Sequence, residues 1–291
     1  LRRAGFKRLG YAPRRELDLT DASAVDDWFA KQRPEAVILC AARVGGILAN
    51  ATYPVDFLLH NLQIQNNVIE AAHRYDVDRL LFLGSSCIYP REGPQPLSED
   101  SLLTGPLEPT NRPYAIAKIA GIELCWALNR QYGRRYIALM PTNLFGPEDN
   151  FDLETSHVLP ALIRKMHEAR ERGDATVQLW GTGSPRREFL YSDDLADAAL
   201  FLLDTEQRML DGIVEQSAGP PLINVGVGDD LEIRELAAKI ASVVGFEGTI
   251  DWDTSKPDGA PRKLLDVSRM ASLGWRAGTS LDTGLRMAYQ A

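Results

Sequence analysis

Short apolar runs alternate with longer segments of helical periodicity through the first half of the chain, and this rhythm limits the fold more than any other feature. AVILCAA (36–42) and RLLFLGSS (79–86) are apolar without alternation, as strands buried on both faces are. Between them, VDFLLHNLQIQNNVIEAAHRYD (55–76) places its apolar residues at helical spacing. A second helix is predicted over 114–133, followed by a strand and loop in YIALMPTNLFG (136–146). Thr110 and Asn111 stand where a cap is needed, and Pro113 fits the first turn. Strand, helix, strand, helix in this order means right-handed crossovers and a doubly wound parallel sheet. After residue 147 the rhythm breaks. VQLWGTGSPRREF reads as a short strand, a helix begins near Asp194, and INVG (223–226) reads as a late strand. We therefore expect an α/β nucleotide-binding domain over 1–146, completed by parts of 188–226, with 147–291 mainly a smaller interleaved α+β lobe for substrate.

Ligands of open parallel sheets bind outside the carboxyl ends of the strands. That rule puts Ser85, Ser86 and Cys87 on one rim with Pro141, Thr142 and Asn143. Tyr114, at the start of the following helix, reaches the same rim, and Lys118 stands one turn further on. An ammonium beside a phenol favours the phenolate, so the pair reads as a tuned proton donor. A surface i,i+4 pair is the plainer alternative.

The bulk numbers exclude several classes. Net charge is −8 and the isoelectric point about 5.2, so there is no basic excess for nucleic acid or an acidic membrane. Three scattered cysteines, Cys40, Cys87 and Cys125, form neither a disulfide framework nor a zinc spacing, so no metal is expected and a reduced cytoplasmic setting is. No apolar run of about 18 residues suggests a membrane span. The opening LRRAGFKRLG lacks the apolar stretch of a signal peptide and reads as the end of a helix stopped at Gly5.

The flanking text narrows the chemistry. VGGILANATYPVDFLLHNLQIQNNVIEAA, LLFLGSSCIYP, LEPTNRPYAIAKIAGIELC, PTNLFGPEDNF, SHVLPAL and SKPDGAPRKLLDVSRM together resemble the GDP-L-fucose synthase family, a branch of the extended short-chain dehydrogenase/reductases. The resemblance runs through nearly the whole chain and is weakest around 204–221. It implies an NADP(H)-dependent enzyme that inverts C3 and C5 of GDP-4-keto-6-deoxy-D-mannose and reduces C4. Tyr114 would protonate the C4 oxygen, Ser85 would hydrogen-bond the C4 carbonyl, and Lys118 would hold the nicotinamide ribose and lower the Tyr114 pKa. Cys87 and His157 would be the base and acid of epimerisation. Read from position alone, Cys87 is equally a small buried filler and His157 an ordinary residue at a helix start.

The same resemblance implies cofactor contacts from Leu83, Gly84, Ser85, Ser86, Lys118, Pro141, Thr142, Asn143, Leu144 and His157, with Arg14 on the 2′-phosphate. No acidic residue stands at the end of the presumed second strand to select NAD instead. Lys165, Trp180, Arg187 and Asp258 match substrate positions, and Arg262 and Lys263 are weaker candidates. A homodimer through the helices 55–76 and 114–133 is implied too.

GVGDD (226–230) lacks a third glycine and reads as a helix-entry turn. VGG (44–46) is not a pyrophosphate cradle either. The family's glycine-rich loop and first strand are expected upstream of Leu1, leaving strands near Lys7 and Ala36 without the partner between them. The 291-residue segment alone is therefore expected to fold poorly and bind NADPH weakly. Rival readings are another nucleotide-sugar epimerase or dehydratase of the same superfamily, and a catalytically inactive nucleotide-binding module. A C4 epimerase needs no base for C3 and C5, and a dehydratase carries an acidic residue where this chain has Cys87.

Overall fold

The computed structural model describes residues 1–153, 155–205, 219–256 and 258–291. In chain order come α1 (Ala22–Gln32), β1 (Ala36–Leu39), α2 (Ile47–Thr52), α3 (Pro54–Arg74), β2 (Arg79–Leu83), α4 (Arg112–Tyr132), β3 (Arg135–Pro141) and β4 (Asn143–Phe145). They are followed by α5 (Val158–Arg172), β5 (Thr176–Trp180), β6 (Arg186–Arg187), β7 (Phe189–Tyr191), α6 (Ser192–Asp204) and β8 (Leu222–Val225). The chain closes with β9 (Leu231–Glu232), α7 (Ile233–Val244), β10 (Thr249–Asp253), β11 (Arg262–Lys263), α8 (Ser268–Ser272) and α9 (Leu281–Gln290).

The central sheet has the order β1-β2-β3-β8 and every pairing in it is parallel. Alternate residues feed two cores, as a period of two requires. Leu80, Phe82, Tyr136 and Met140 pack with residues of α1, α3 and α4. Leu81, Ile137, Leu139 and Ile223 pack with Leu195 and Leu202 of α6 and Met270 of α8. The sheet is thus wound on both sides, as its unbroken apolar runs predict. The strands end together at Leu83, Pro141 and Val225, which makes one carboxyl rim.

A third core, around Phe145, Leu159, Met166, Leu236 and Ile240, joins α5 and α7. Beside it β5 pairs with β10, and β6 lies between β11 and β9. β4 pairs with β7, which returns residues 189–191 to the end of β3.

Several sequence expectations need correction. The strand expected near Lys7 is absent, since no ladder partner lies beside it and a strand exists only through one. Residues 13–17 turn instead, with Glu16 N donating to Pro13 O at 2.8 Å. The stretch 177–189 is not one strand: it breaks at 181–185, where Asp258 binds Thr182 through N and Oγ1. Asn111 sits at the cap of α4 but makes no side-chain cap bond. The turn 226–230 leads into β9 before α7 starts. Of 188–226, residues 206–218 lie outside the described residues.

Candidate active site

The rim is built by how β2 ends. Gly84 N donates to Leu139 O at 2.8 Å, and a methyl on Gly84 would overlap the Met140 thioether, so only glycine lets the strand end this close. Ser85 then opens a single 3₁₀ turn over Ser86–Ile88, with its hydroxyl accepting from Cys87 N at 3.5 Å. That turn buries Cys87 against α4.

Helix α4 brings Tyr114 and Lys118 to the same place. The Tyr114 ring meets Phe57 of α3 edge-on, with centroids 6.2 Å apart. Lys118 is 2% exposed and its Nζ donates to Leu83 O at 2.7 Å. The ammonium lies 4.7 Å from the Phe82 ring centroid and 5.8 Å from that of Tyr114. It makes no ion pair among the described residues, so a buried cation keeps two donors for a ligand.

Electrostatics alter two sequence expectations. Burial pushes the Tyr114 phenol up and Cys87 adds to this, while a hydrogen bond with Ser85 opposes. Lys118 does not lower it, because its Nζ is turned to Leu83 and Phe82. Burial brings Lys118 itself down to about 8. The phenol therefore keeps its proton at neutral pH, the state a general acid needs. Burial also raises the Cys87 thiol, against Lys263, Ser85 and Lys118, so a lowered cysteine pKa is not found.

His157 occupies the cap of α5, open to solvent. The protein around it lowers its pKa, with Asp149 opposing. Its loop abuts the 43–50 segment, where Gly46 N donates to Thr155 O at 3.2 Å. Among the described residues no hydrogen bond joins its ring to Cys87.

The other expected contacts divide. Thr142 Oγ1 and Asn143 Nδ2 both donate to Glu188 O, at 3.1 and 2.8 Å, so these side chains brace the rim. Pro141 is buried and Leu144 partly so, while Ser86 begins the turn. Arg14 is exposed, its nearest carboxylate Asp18 at 3.9 Å. Lys165 Nζ lies 5.2 Å from the Trp180 ring centroid, and Lys256 Nζ lies 5.6 Å from it. Arg187 donates to Arg186 O at 2.7 Å, and burial lowers its pKa. Asp258 spends both carboxylate oxygens on Thr182, holding the loop after Trp180. Lys263 is drawn into the site, close enough to Cys87 for the two charges to interact, whereas Arg262 turns to Asp230.

Sequence reasoning missed Glu188, which is fully buried. Its carboxylate accepts from the amides of Val227, Gly228 and Leu265 at 2.6, 2.7 and 3.1 Å. One residue thus ties the rim at 142–143 to the loops after β8 and β11. The only signal in the sequence is an acid between Arg187 and Phe189. Among the described residues no group of His, Cys, Asp and Glu is placed to hold a metal ion, and no helix is long and apolar enough to cross a membrane.

A doubly wound parallel sheet with Ser85, Tyr114 and Lys118 on its carboxyl rim defines a dinucleotide-dependent short-chain oxidoreductase. The chain belongs to the NAD dependent epimerase/dehydratase family, which it matches over residues 2–216. It is 53% identical over 292 residues to the GDP-L-fucose synthase of Escherichia coli K12, covering 100% of this chain and 90% of that protein. It is 54% identical to GDP-L-fucose synthase 1 of Arabidopsis thaliana, covering 99% of this chain and 86% of the relative. Among solved structures, a GDP-mannoheptose C4 reductase from Campylobacter jejuni with NADP bound superposes with a TM-score of 0.89 at 37% identity, covering 99% of this chain and 91% of that one.

Proposed function

We propose that this chain converts GDP-4-keto-6-deoxy-D-mannose to GDP-L-fucose, inverting C3 and C5 and reducing C4 with NADPH. One observation carries the reading: Cys87, facing Lys263, lies two residues beyond Ser85 on the rim that also holds Tyr114 and Lys118. Reduction alone needs only Ser85, Tyr114 and Lys118. Inverting carbons next to a ketone needs a base as well.

Protons at C3 and C5 are acidic because they lie beside the C4 ketone. Cys87 as thiolate takes one from each carbon in turn, losing it to solvent between the two inversions while His157 regains one, and Lys263 and Lys118 stabilise that thiolate. His157 returns a proton on the opposite face. Its lowered pKa makes the imidazolium a stronger acid. Ser85 donates to the C4 oxygen, and Tyr114 gives that oxygen its proton. NADPH, when bound, supplies the hydride. The residues fit that cofactor: Lys118 has donors for a ribose, and the Arg14 guanidinium is exposed. Leu83–Ser86 and Pro141–Leu144 line the nicotinamide side. Lys165 and Arg187 take the GDP diphosphate, with Trp180 against the nucleotide and Asp258 shaping its loop.

Residues 1–146 with parts of 188–226 hold the cofactor, and 147–291 mainly hold the sugar nucleotide. Exposed Val55, Leu59 and Ile116 give α3 and α4 an apolar outer face, which supports a homodimer through these helices. The setting is cytoplasmic, consistent with three cysteines kept reduced.

Incubation with the keto sugar and NADPH, followed by NMR of the product, tests the reading. GDP-L-fucose supports it. A 6-deoxy sugar with C3 and C5 unchanged overturns the epimerase half, and unconsumed NADPH overturns the whole.

A further inference from the structure

The strands β6 and β11 form a parallel ribbon only two residues long, with Arg186 opposite Arg262 and Arg187 opposite Lys263. Successive residues of a strand point to opposite faces. Arg187 and Lys263 therefore share one face, where each is half-buried, and burial first and then the arginine's charge lower the lysine's pKa. That face looks onto Cys87. Two like charges held side by side in this half-buried place repel; Asp258 offsets the arginine, and Cys87 and then Glu108 offset the lysine.

The opposite face carries a second pair of cations, Arg186 and Arg262, and here a carboxylate stands between them. Asp230 has a side chain only 2% exposed. Its Oδ1 accepts from Arg186 Nε at 2.7 Å and its Oδ2 from Arg262 Nε at 2.5 Å. Arg186 Nη2 also donates to Asp230 O at 2.8 Å. One side chain thereby spans both strands of the ribbon. Glu232, opposite Arg186 on β9, is further away at 4.0 Å and reaches only that strand.

A ladder of two residues has few backbone hydrogen bonds to resist separation. Its width is set by what bridges it. We propose that Asp230 is a positioning residue: by clamping Arg186 and Arg262 behind the ribbon, it holds Arg187 and Lys263 side by side in front, as a preformed site for the diphosphate of a nucleoside-diphosphate sugar. The inference rests on the reading of Arg187 as a diphosphate contact, and it places Lys263, whose charge also reaches Cys87, beside that contact. It adds the residue that makes this site, which touches no substrate itself. Without the Asp230 charge, the two rear arginines repel across the ribbon and the front pair loses its spacing.

Calorimetric titration of the full chain with GDP and, separately, with NADPH tests this. In Asp230→Asn the Kd for GDP rises roughly tenfold while that for NADPH stays within about twofold, because only the diphosphate contacts are loosened. Adding Arg262→Gln removes the repulsion and returns GDP binding to within about threefold of wild type, a coupling that a double-mutant cycle reads. Unchanged GDP affinity in Asp230→Asn overturns the proposal. So does a parallel loss for both ligands, which is general loosening, and so does a double variant no better than the single. If Asp230→Asn alone does not fold, the neutral double variant decides: GDP binding near wild type supports the clamp, and a tenfold loss overturns it. The product assay above tests the function separately, so a failed clamp leaves that reading standing.

Discussion

Lys118 donates from Nζ to the carbonyl oxygen of Leu83 at 2.7 Å, and this bond joins the second turn of α4 to the last residue of β2. The residue proposed to hold the cofactor's ribose is thus also fixed to the strand that carries Ser85. Its cost is burial. The folded pKa of about 8 lies below the ordinary 10.5, so between these values the folded state holds fewer protons than the unfolded chain. The penalty is full below pH 8 and is relieved as pH rises to 10.5. We expect Lys118→Met to abolish reduction yet raise the thermal midpoint by about 2–4 °C at pH 7. That gain should shrink as pH is raised through this window. Calorimetry at pH 7 and pH 9.5 checks it; a midpoint lowered at both removes the burial argument.

Tyr114→Phe keeps the ring against Phe57 and removes the proton. With the phenol pushed up by burial, wild type remains a donor across the neutral range. The variant should lose roughly 10²-fold or more in kcat, the scale of a missing general acid, with GDP and NADPH binding retained. Stopped-flow measurement of NADPH oxidation decides; near-normal hydride transfer would assign the ring to packing alone.

Cys87 sits above its ordinary pKa, so the thiolate fraction grows as pH rises and the epimerisation step should quicken with it. Deuterium exchange at C3 and C5, followed by NMR from pH 6.5 to 9, is expected to climb. Cys87→Ser should nearly abolish exchange while hydride transfer continues. Lys263→Met removes the first charge opposing the rise and should slow exchange at about pH 7.5, because the thiolate then becomes scarcer. Exchange that is flat with pH and indifferent to both changes would rule out the thiol as base.

Gly121 lets α4 approach α3 and the sheet. A methyl there would stand 2.6 Å from Phe82 Cζ and 2.9 Å from Gln65 Cδ. Both neighbours are packed, so overpacking of about 1–3 kcal/mol should outweigh the ~1 kcal/mol that alanine gains in a helix. Gly121→Ala is expected to be less stable in urea by up to about 2 kcal/mol, the upper difference between those terms. Phe82 also faces the Lys118 ammonium, so NADPH binding should weaken in the same variant. A stabilised protein would show that the helices can part at no cost.

The sequence by itself determined the sheet, the crossover helices and the rim. Strands buried on both faces read as unbroken apolar runs, and α3 and α4 carry the periodicity of one-sided burial. Ser85, Cys87, Tyr114 and Lys118 follow from where those elements end, since a parallel sheet gathers all its carboxyl ends on one edge. The small ribbons β6, β9 and β11 were not legible, because two residues have no period. Glu188 and Asp230 escaped for the same reason: their partners lie from 32 to 77 residues away along the chain. The tertiary structure alone decided the protonation of the site. Whether Lys118 lowers Tyr114, or Lys263 lowers Cys87, depends on burial summed over every surrounding element and on where each ammonium points. In this fold Lys118 points at Leu83, and burial holds both the phenol and the thiol in their protonated forms.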